Sequence, residues 1–285
     1  MNITNECVKC IVGQIDKATK LLNLEKNLSL EIMEEVEKRA HKFSFNHTPP
    51  FIAKDVYEFL AFKTGIKDPL EKLKQESIKK AISYLPLVEE KIENSEDRLF
   101  TAIKTAVAGN VIDFATTKEF SLDEEINSIF DTDFSINDYE VFNEELEKTN
   151  KLIILSDNAG ENVFDKVLIK TITKLYPTLK IYYATRGKAI INDITIVEAK
   201  QIGIDKYCEV ISTGVDTPGL EKKRASKEFM KLFEKTPLIL SKGMGNFECL
   251  ESYSDKRIFF LFKVKCDVVA NQIKRNLGEI ILKRG

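Results

Sequence analysis

Apolar residues recur at spacings of three and four through the first half of the chain, and near Lys151 this pattern gives way to short continuous apolar runs. The first regime predicts helices over residues 6–22, 30–43, 51–62, 70–92 and 97–114. Asp68-Pro69 reads as an N-cap with proline at the first helical position, Ser121 to Glu124 matches a capping box, and Pro49-Pro50 separates one helix from the next. No strand signal of comparable quality precedes Lys151. In the second regime, strands at 152–156, 180–184, 208–212, 238–241 and 258–264 alternate with helices at 162–175, 194–202, 225–234 and 268–277, and an edge strand at 279–283 closes the chain. That alternation predicts an α/β protein whose parallel sheet carries helices on both faces. The expected division is a helical domain over 1–148 and an α/β domain over 149–285, with no internal repeat.

Composition narrows the chemistry. The 285 residues are 43% hydrophobic, enough for a substantial core, and 43 basic against 45 acidic residues give a net charge of −2. With no long basic run, nucleic acid is not an expected partner. No apolar run is long enough for a membrane span and the first residues lack a signal-peptide pattern, so a cytoplasmic protein without a membrane partner is expected. Five scattered cysteines suit reduced thiols; Cys7 and Cys10 form a single C-x-x-C without a second pair, which reads first as ordinary thiols on a helix. The only histidines, His41 and His47, both precede the sheet. A Ser-His-Asp hydrolase or a histidine-based zinc site there is therefore excluded, and any hydrolytic chemistry must use carboxylates, lysine and a metal.

Candidate residues fall at successive strand ends, which converge on one rim of an open α/β sheet. Asp157, Asn158 and Glu161 follow the first strand; a carboxylate beside a carboxamide suits a hard cation, although the same residues commonly cap a helix. Arg186-Gly187 and Asn192-Asp193 follow the second strand, where Arg186 reads equally as a substrate contact or an exposed loop arginine. Ser212, Thr213, Gly214 and Asp216 follow the third, and Lys242-Gly-Met-Gly-Asn246 with Glu248 follows the fourth. The last segment suggests a glycine-rich anion loop with Lys242 as a point charge, against the alternative of a solvated lysine. Neither a P-loop nor a dinucleotide fingerprint is present, and the Asp-x-Asp of an aspartyl-phosphate enzyme is replaced by Asp157-Asn-Ala159.

The segments Leu155-Ser-Asp-Asn-Ala-Gly-Glu-Asn-Val-Phe-Asp165, Arg186-Gly-Lys-Ala-Ile-Ile-Asn-Asp-Ile-Thr195, Ser212-Thr-Gly-Val-Asp-Thr-Pro-Gly219 and Ser241-Lys-Gly-Met-Gly-Asn-Phe-Glu-Cys249 together resemble the damage-control phosphatase family, first catalogued as a domain of unknown function. The resemblance spans nearly the whole chain and includes Cys7-Val-Lys-Cys10 and Ala108-Gly-Asn-Val-Ile-Asp-Phe114, features of the family's short prokaryotic branch. It implies a helical N-terminal region on a Rossmann-like three-layer α/β/α core, and a metal-dependent phosphatase acting on small phosphorylated metabolites such as sugar phosphates. By motif it makes Asp157, Asn158 and Asp193 the ligands of a divalent cation (Mg, Mn, Co or Ni), which activates a water without histidine. It places Lys242 and the backbone of Gly243, Gly245 and Asn246 on the phosphate and Ser212, Thr213 and Gly214 in the pocket. Asp216 and Glu248 become candidates for moving protons or orienting Lys242, and Asn110 and Asp113 for covering the site. Glu161 and Arg186 complete the expected substrate contacts. S-adenosylmethionine-dependent carboxyl methylation and a non-catalytic metal- or metabolite-binding role are the alternatives carried forward.

Overall fold

The computed structural model describes residues 1–108 and 128–285, and expectations for Asn110, Asp113 and the Ser121 capping box lie outside the described residues. Helices α1 (Asn5–Leu21), α2 (Lys26–Ala40) and α3 (Pro49–Thr64) come first. Thr4 and Thr48 accept the Cys7 and Phe51 amides at the starts of α1 and α3, so each satisfies a donor that the first helical turn leaves unpaired. Helices α4 (Glu71–Ser83) and α5 (Leu85–Glu93) replace the single helix expected over 70–92. Pro86 lies in the first turn of α5, where its missing N–H costs nothing, whereas one unbroken helix would need that donor. Nor does the Asp68 side chain cap α4; its carboxylate pairs with Lys74.

After α6 (Arg98–Ala108), β1 (Phe134–Asn137) is a strand that the sequence pattern did not reveal. Four residues are too short to show alternation, and their partner is β7 (Ile280–Arg284) at the far end of the chain. Because β1 pairs outside β7, the last strand is internal rather than the expected edge. Between them run α7 (Tyr139–Lys148), β2 (Lys151–Leu155), α8 (Glu161–Leu175), β3 (Lys180–Thr185), α9 (Ile196–Gln201), β4 (Glu209–Ser212), α10 (Lys227–Lys235), β5 (Leu238–Lys242), α11 (Met244–Leu250), β6 (Ile258–Lys263) and α12 (Asp267–Ile273).

The sheet order is β1-β7-β6-β5-β2-β3-β4, parallel except where β6 meets β7. Burial on both faces explains the continuous apolar strands. Leu152 and Ile154 face one core with α4 to α8, while Ile153 and Leu155 face another with α10, α11 and α12. A third cluster belongs to α1, α2 and α3 and takes in Ile190 from the loop after β3. The 148/149 boundary thus marks a change of pattern, while apolar packing groups α4 to α7 and β1 with the sheet. Chain order reverses at β2, whose neighbours are β3 and β5. The crevice beyond the ends of β2 and β5 is therefore a topological switch point, the place where such sheets bind ligands.

Candidate active site

The switch point collects charge in a buried volume. Ser156 and Asp157 directly follow β2, and Asp157 is only 6% exposed. Its backbone carbonyl accepts the Ile194 amide at 3.0 Å, and a bridge between Asn158 and Asp193 locks the β2 and β3 loops together. The capping alternative for Asp157 and Asn158 fails, because α8 begins after Gly160 with no side-chain cap. Instead Asn158 Nδ2 donates to Asp157 Oδ2 at 2.9 Å and to Glu161 Oε1 at 3.2 Å.

Arg186 is one of the largest fully buried side chains, not an exposed loop residue. Its Nε donates to Asp193 Oδ2 at 2.6 Å, its Nη1 donates to Asn246 Oδ1 at 3.0 Å, and its Nη2 lies 3.7 Å from Asp157 Oδ1. Asn246 also donates to the carbonyls of Ser156 and Lys242 and accepts the Leu220 amide, so one carboxamide joins β2, β5 and the segment after β4. Lys242 is buried as well, which removes the solvated-lysine alternative. Its Nζ donates to Glu161 Oε2 at 2.9 Å and Asp165 Oδ1 at 2.5 Å, and Tyr183 Oη donates to Asp165 Oδ2 at 2.7 Å. Asp165, one turn beyond Glu161 on α8, is a member of the cluster that the strand-end pattern could not find, since it lies inside a helix.

Burial sets the electrostatics. It drives the carboxyl of Asp157 well above its ordinary range, with repulsion from Glu161 and Asp193 adding to it. Burial also raises Glu161, Asp165 and Asp193, in each case against a neighbouring cation. At Lys242 burial opposes the ammonium, but Asp165 and Glu161 outweigh it and the group stays charged beyond the usual lysine range. Lys265, exposed just past β6 and with its amide 3.2 Å from Met244 Sδ, lends positive charge to Asp157, Glu161 and Asp193; no sequence signal singled it out.

The segment after β5 differs from the expected glycine loop, because it turns at once into helix α11. A Cβ on Gly243, where φ is +80°, would fall 2.1 Å from Asp157 Oδ2, and one on Gly245 would fall 1.9 Å from the Pro218 carbonyl. These glycines let backbone pass against the acidic cluster and the loop after β4.

Other expected residues stand apart. Thr213 Oγ1 donates to the Thr185 carbonyl at 2.8 Å, Ser212 Oγ accepts the Gly214 amide at 3.1 Å, and Gly214 packs against Gly187; these bonds shape the β3 and β4 ends without touching the cluster. Asp216 does not orient Lys242, because Arg224 holds it with two bonds of 2.6 Å. Glu248 does not reach Lys242 either: it lies on α11 near Cys10, Cys249 and Cys266, and burial pushes its carboxyl up to about 7. A carboxyl with a raised folded pKa favours the fold below its unfolded value near 4.5, and that contribution is lost as pH climbs through about 7. Relative to Glu248→Gln, the unmodified protein should therefore lose about 3 kcal/mol between pH 4.5 and 8. Urea unfolding of both at pH 5 and pH 8 checks this, and equal differences at the two pH values would contradict it.

A cleft of 390 Å³ adjoins the β3 loop, lined by Tyr57 and Glu58 of α3, by Lys67 to Leu70, by Lys188 to Ile191 and by Asp216. Ile191, the last of its β3-loop residues, precedes Asn192 and Asp193 in the chain.

Taken together, fold and rim define an α/β protein with a buried, acid-rich crevice at its switch point. The chain belongs to the damage-control phosphatase ARMT1-like domain family, whose model matches residues 3–281. It is 31% identical over 290 residues to a damage-control phosphatase of Pyrococcus horikoshii, covering 100% of this chain and 98% of the relative. A damage-control phosphatase of Archaeoglobus fulgidus is 32% identical over 293 residues, with 99% of each chain covered. The crystal structure of a DUF89 family protein from Pyrococcus horikoshii superposes with a TM-score of 0.91 at 30% identity, covering 100% of this chain and 99% of that one. Among the described residues no helix is long and apolar enough to cross a membrane.

Proposed function

We propose that this protein is a divalent-metal-dependent phosphatase of small phosphorylated metabolites, with its reaction centre at the β2/β5 switch point. The charge balance of the buried cluster carries the reading. Asp157, Glu161, Asp165 and Asp193 bring four carboxylates, while Arg186 and Lys242 bring two cations in contact with them. Full ionisation leaves two negative charges in a desolvated site, a deficit that one divalent cation would fill. Among the described residues no group of three or more His, Cys, Asp or Glu has metal-binding geometry, and the donor set here instead pairs two carboxylates with a carboxamide. Asp157, Asn158 and Asp193 would hold the ion; oxygen donors suit Mg, Mn, Co or Ni. When bound, such an ion supplies charge neutralisation for a phosphoryl group and an acidified water.

The chain's own residues supply the rest. Arg186 fixes the Asp193 carboxylate from a buried position through Oδ2, which holds its orientation. Two of the three Lys242 N–H groups are used by Glu161 and Asp165, and the third can donate to a phosphoryl oxygen as charge develops there. Exposed Lys265, whose positive charge acts on Asp157, Glu161 and Asp193, would help draw in the anion. The cleft beside the β3 loop falls within the size range of small-ligand sites and suits the leaving group, with exposed Lys67 and Lys188 at its border. The relatives' names point the same way, whereas nothing at the end of β2 favours an S-adenosylmethionine site.

The test is a screen of phosphometabolites, repeated with each divalent ion. Activity should vanish with chelator and return when Mg, Mn, Co or Ni is restored. Full turnover by chelator-treated protein, verified metal-free, would remove the metal from the reading.

A further inference from the structure

Lys74 is entirely buried although it lies on α4, outside the charged cluster. Its Nζ pairs with Asp68 and, at 2.6 Å, with Glu198 Oε1. Glu198 lies on α9, only five residues past Asp193, and its other oxygen is committed to that approach: Oε2 accepts the Thr195 amide at 2.8 Å and the Thr195 hydroxyl at 2.6 Å. The backbone carbonyl of Glu198 accepts Asn162 Nδ2 at 3.4 Å, and Asn162 Oδ1 accepts the Gly160 amide at 2.9 Å. Glu198 thus ties α4 to the segment leading from Asp193 into α9 through its side chain, and meets the turn carrying Asn158 and Glu161 through its backbone carbonyl and Asn162. A second link runs beside it on the surface, where Gln75 and Gln201 exchange amide bonds of 3.2 and 2.6 Å.

A buried ion pair is a weak source of net stability, since desolvating both charges offsets their attraction; apolar residues of similar volume commonly serve as well or better. What such a pair does supply is one specific arrangement. Thr195 could be capped by Glu198 alone, so stability of α9 does not explain a lysine brought from another helix. We propose that Lys74 is a positioning residue: by clamping Glu198 it fixes the segment from Asp193 to Thr195 and so sets the geometry of the acidic crevice. The proposal rests on the functional reading above only where metal binding is the readout.

Glu198→Gln separates the clamp from the cap. The glutamine carbonyl can still accept from Thr195, and Lys74 keeps Asp68, so the protein should fold while the ionic clamp is lost. Residues that orient a ligand-bearing segment typically cost 10- to 100-fold in metal affinity when changed, and a loss of that size in Mn²⁺ affinity by calorimetry is expected. Lys74→Met combined with Glu198→Gln should be no worse than about threefold beyond the single change, because both remove one interaction. In metal-free protein, hydrogen exchange over residues 192–199 should speed up about tenfold in Glu198→Gln while β2 and β5 stay protected. Unchanged exchange there, or additive losses in the double variant, would overturn the proposal. If the unmodified protein binds no divalent ion, the functional reading fails instead, and the exchange measurement alone decides the role of Lys74.

Discussion

Asp157→Asn is expected to abolish divalent-ion binding and cut turnover about 10³-fold, the scale of several kcal/mol of lost charge stabilisation, while leaving the metal-free protein more stable than the parent. The two effects have opposite signs for one reason. Burial, then Glu161 and Asp193, make the ionised Asp157 costly, so its carboxyl is raised well above the ordinary value. A carboxylate held that way subtracts stability at neutral pH, and a neutral isostere removes the penalty. Asparagine can still accept from Asn158 and fits the space against Gly243, so the fold has no reason to change. Melting curves without metal, calorimetry with Mn²⁺ and steady-state rates check the three parts. Near-normal turnover would place the reaction elsewhere; a lower melting point in metal-free buffer would mean that the cluster is not strained by its own charge.

Lys242→Met should inactivate the protein and also weaken it, which makes it a different kind of test. With the ammonium gone, Glu161 and Asp165 lose the buried counter-charge they share, and orphaning a buried charge costs about 3–5 kcal/mol. The sequence suggested a point charge in a glycine-rich loop; full burial between two acids adds a structural cost to its loss. Adding Asp165→Asn removes part of the unpaired charge, and the double variant should regain most of the lost stability. Its turnover should nevertheless stay at least about 10²-fold down, because the hydrogen-bond donor proposed for the phosphoryl group is not restored. Denaturant unfolding and rates on the same samples distinguish the roles: activity that recovers together with stability would make Lys242 a structural counter-ion only.

The contrast between these two residues shows how far local pattern reaches. Asp157, Asn158, Asp193 and Lys242 were legible because each follows an apolar strand, and in a parallel sheet all such ends meet on one rim. Their partners were not. Asp165 lies one turn into α8, where a buried aspartate and a solvated one have the same spacing, and Lys74 lies in a helix whose neighbouring lysines are exposed. Asp216 and Glu248 looked equivalent to Glu161 as acids near strand ends, yet Arg224 takes one and the α11 helix turns the other away from Lys242.

By itself the sequence determined the class of the fold, the five strands from Lys151 to Lys263 and the position of both histidines ahead of the sheet. These depend on periodicity and composition, which are local properties of the chain. Only the tertiary structure decided that β1 pairs with β7, that α4 reaches the segment after Asp193, and that four acids share one crevice with two buried cations. Those outcomes join residues up to nearly 150 positions apart. Whether a charged side chain ends in water or beside a partner is fixed by which distant segment packs over it, and no local spacing encodes that choice.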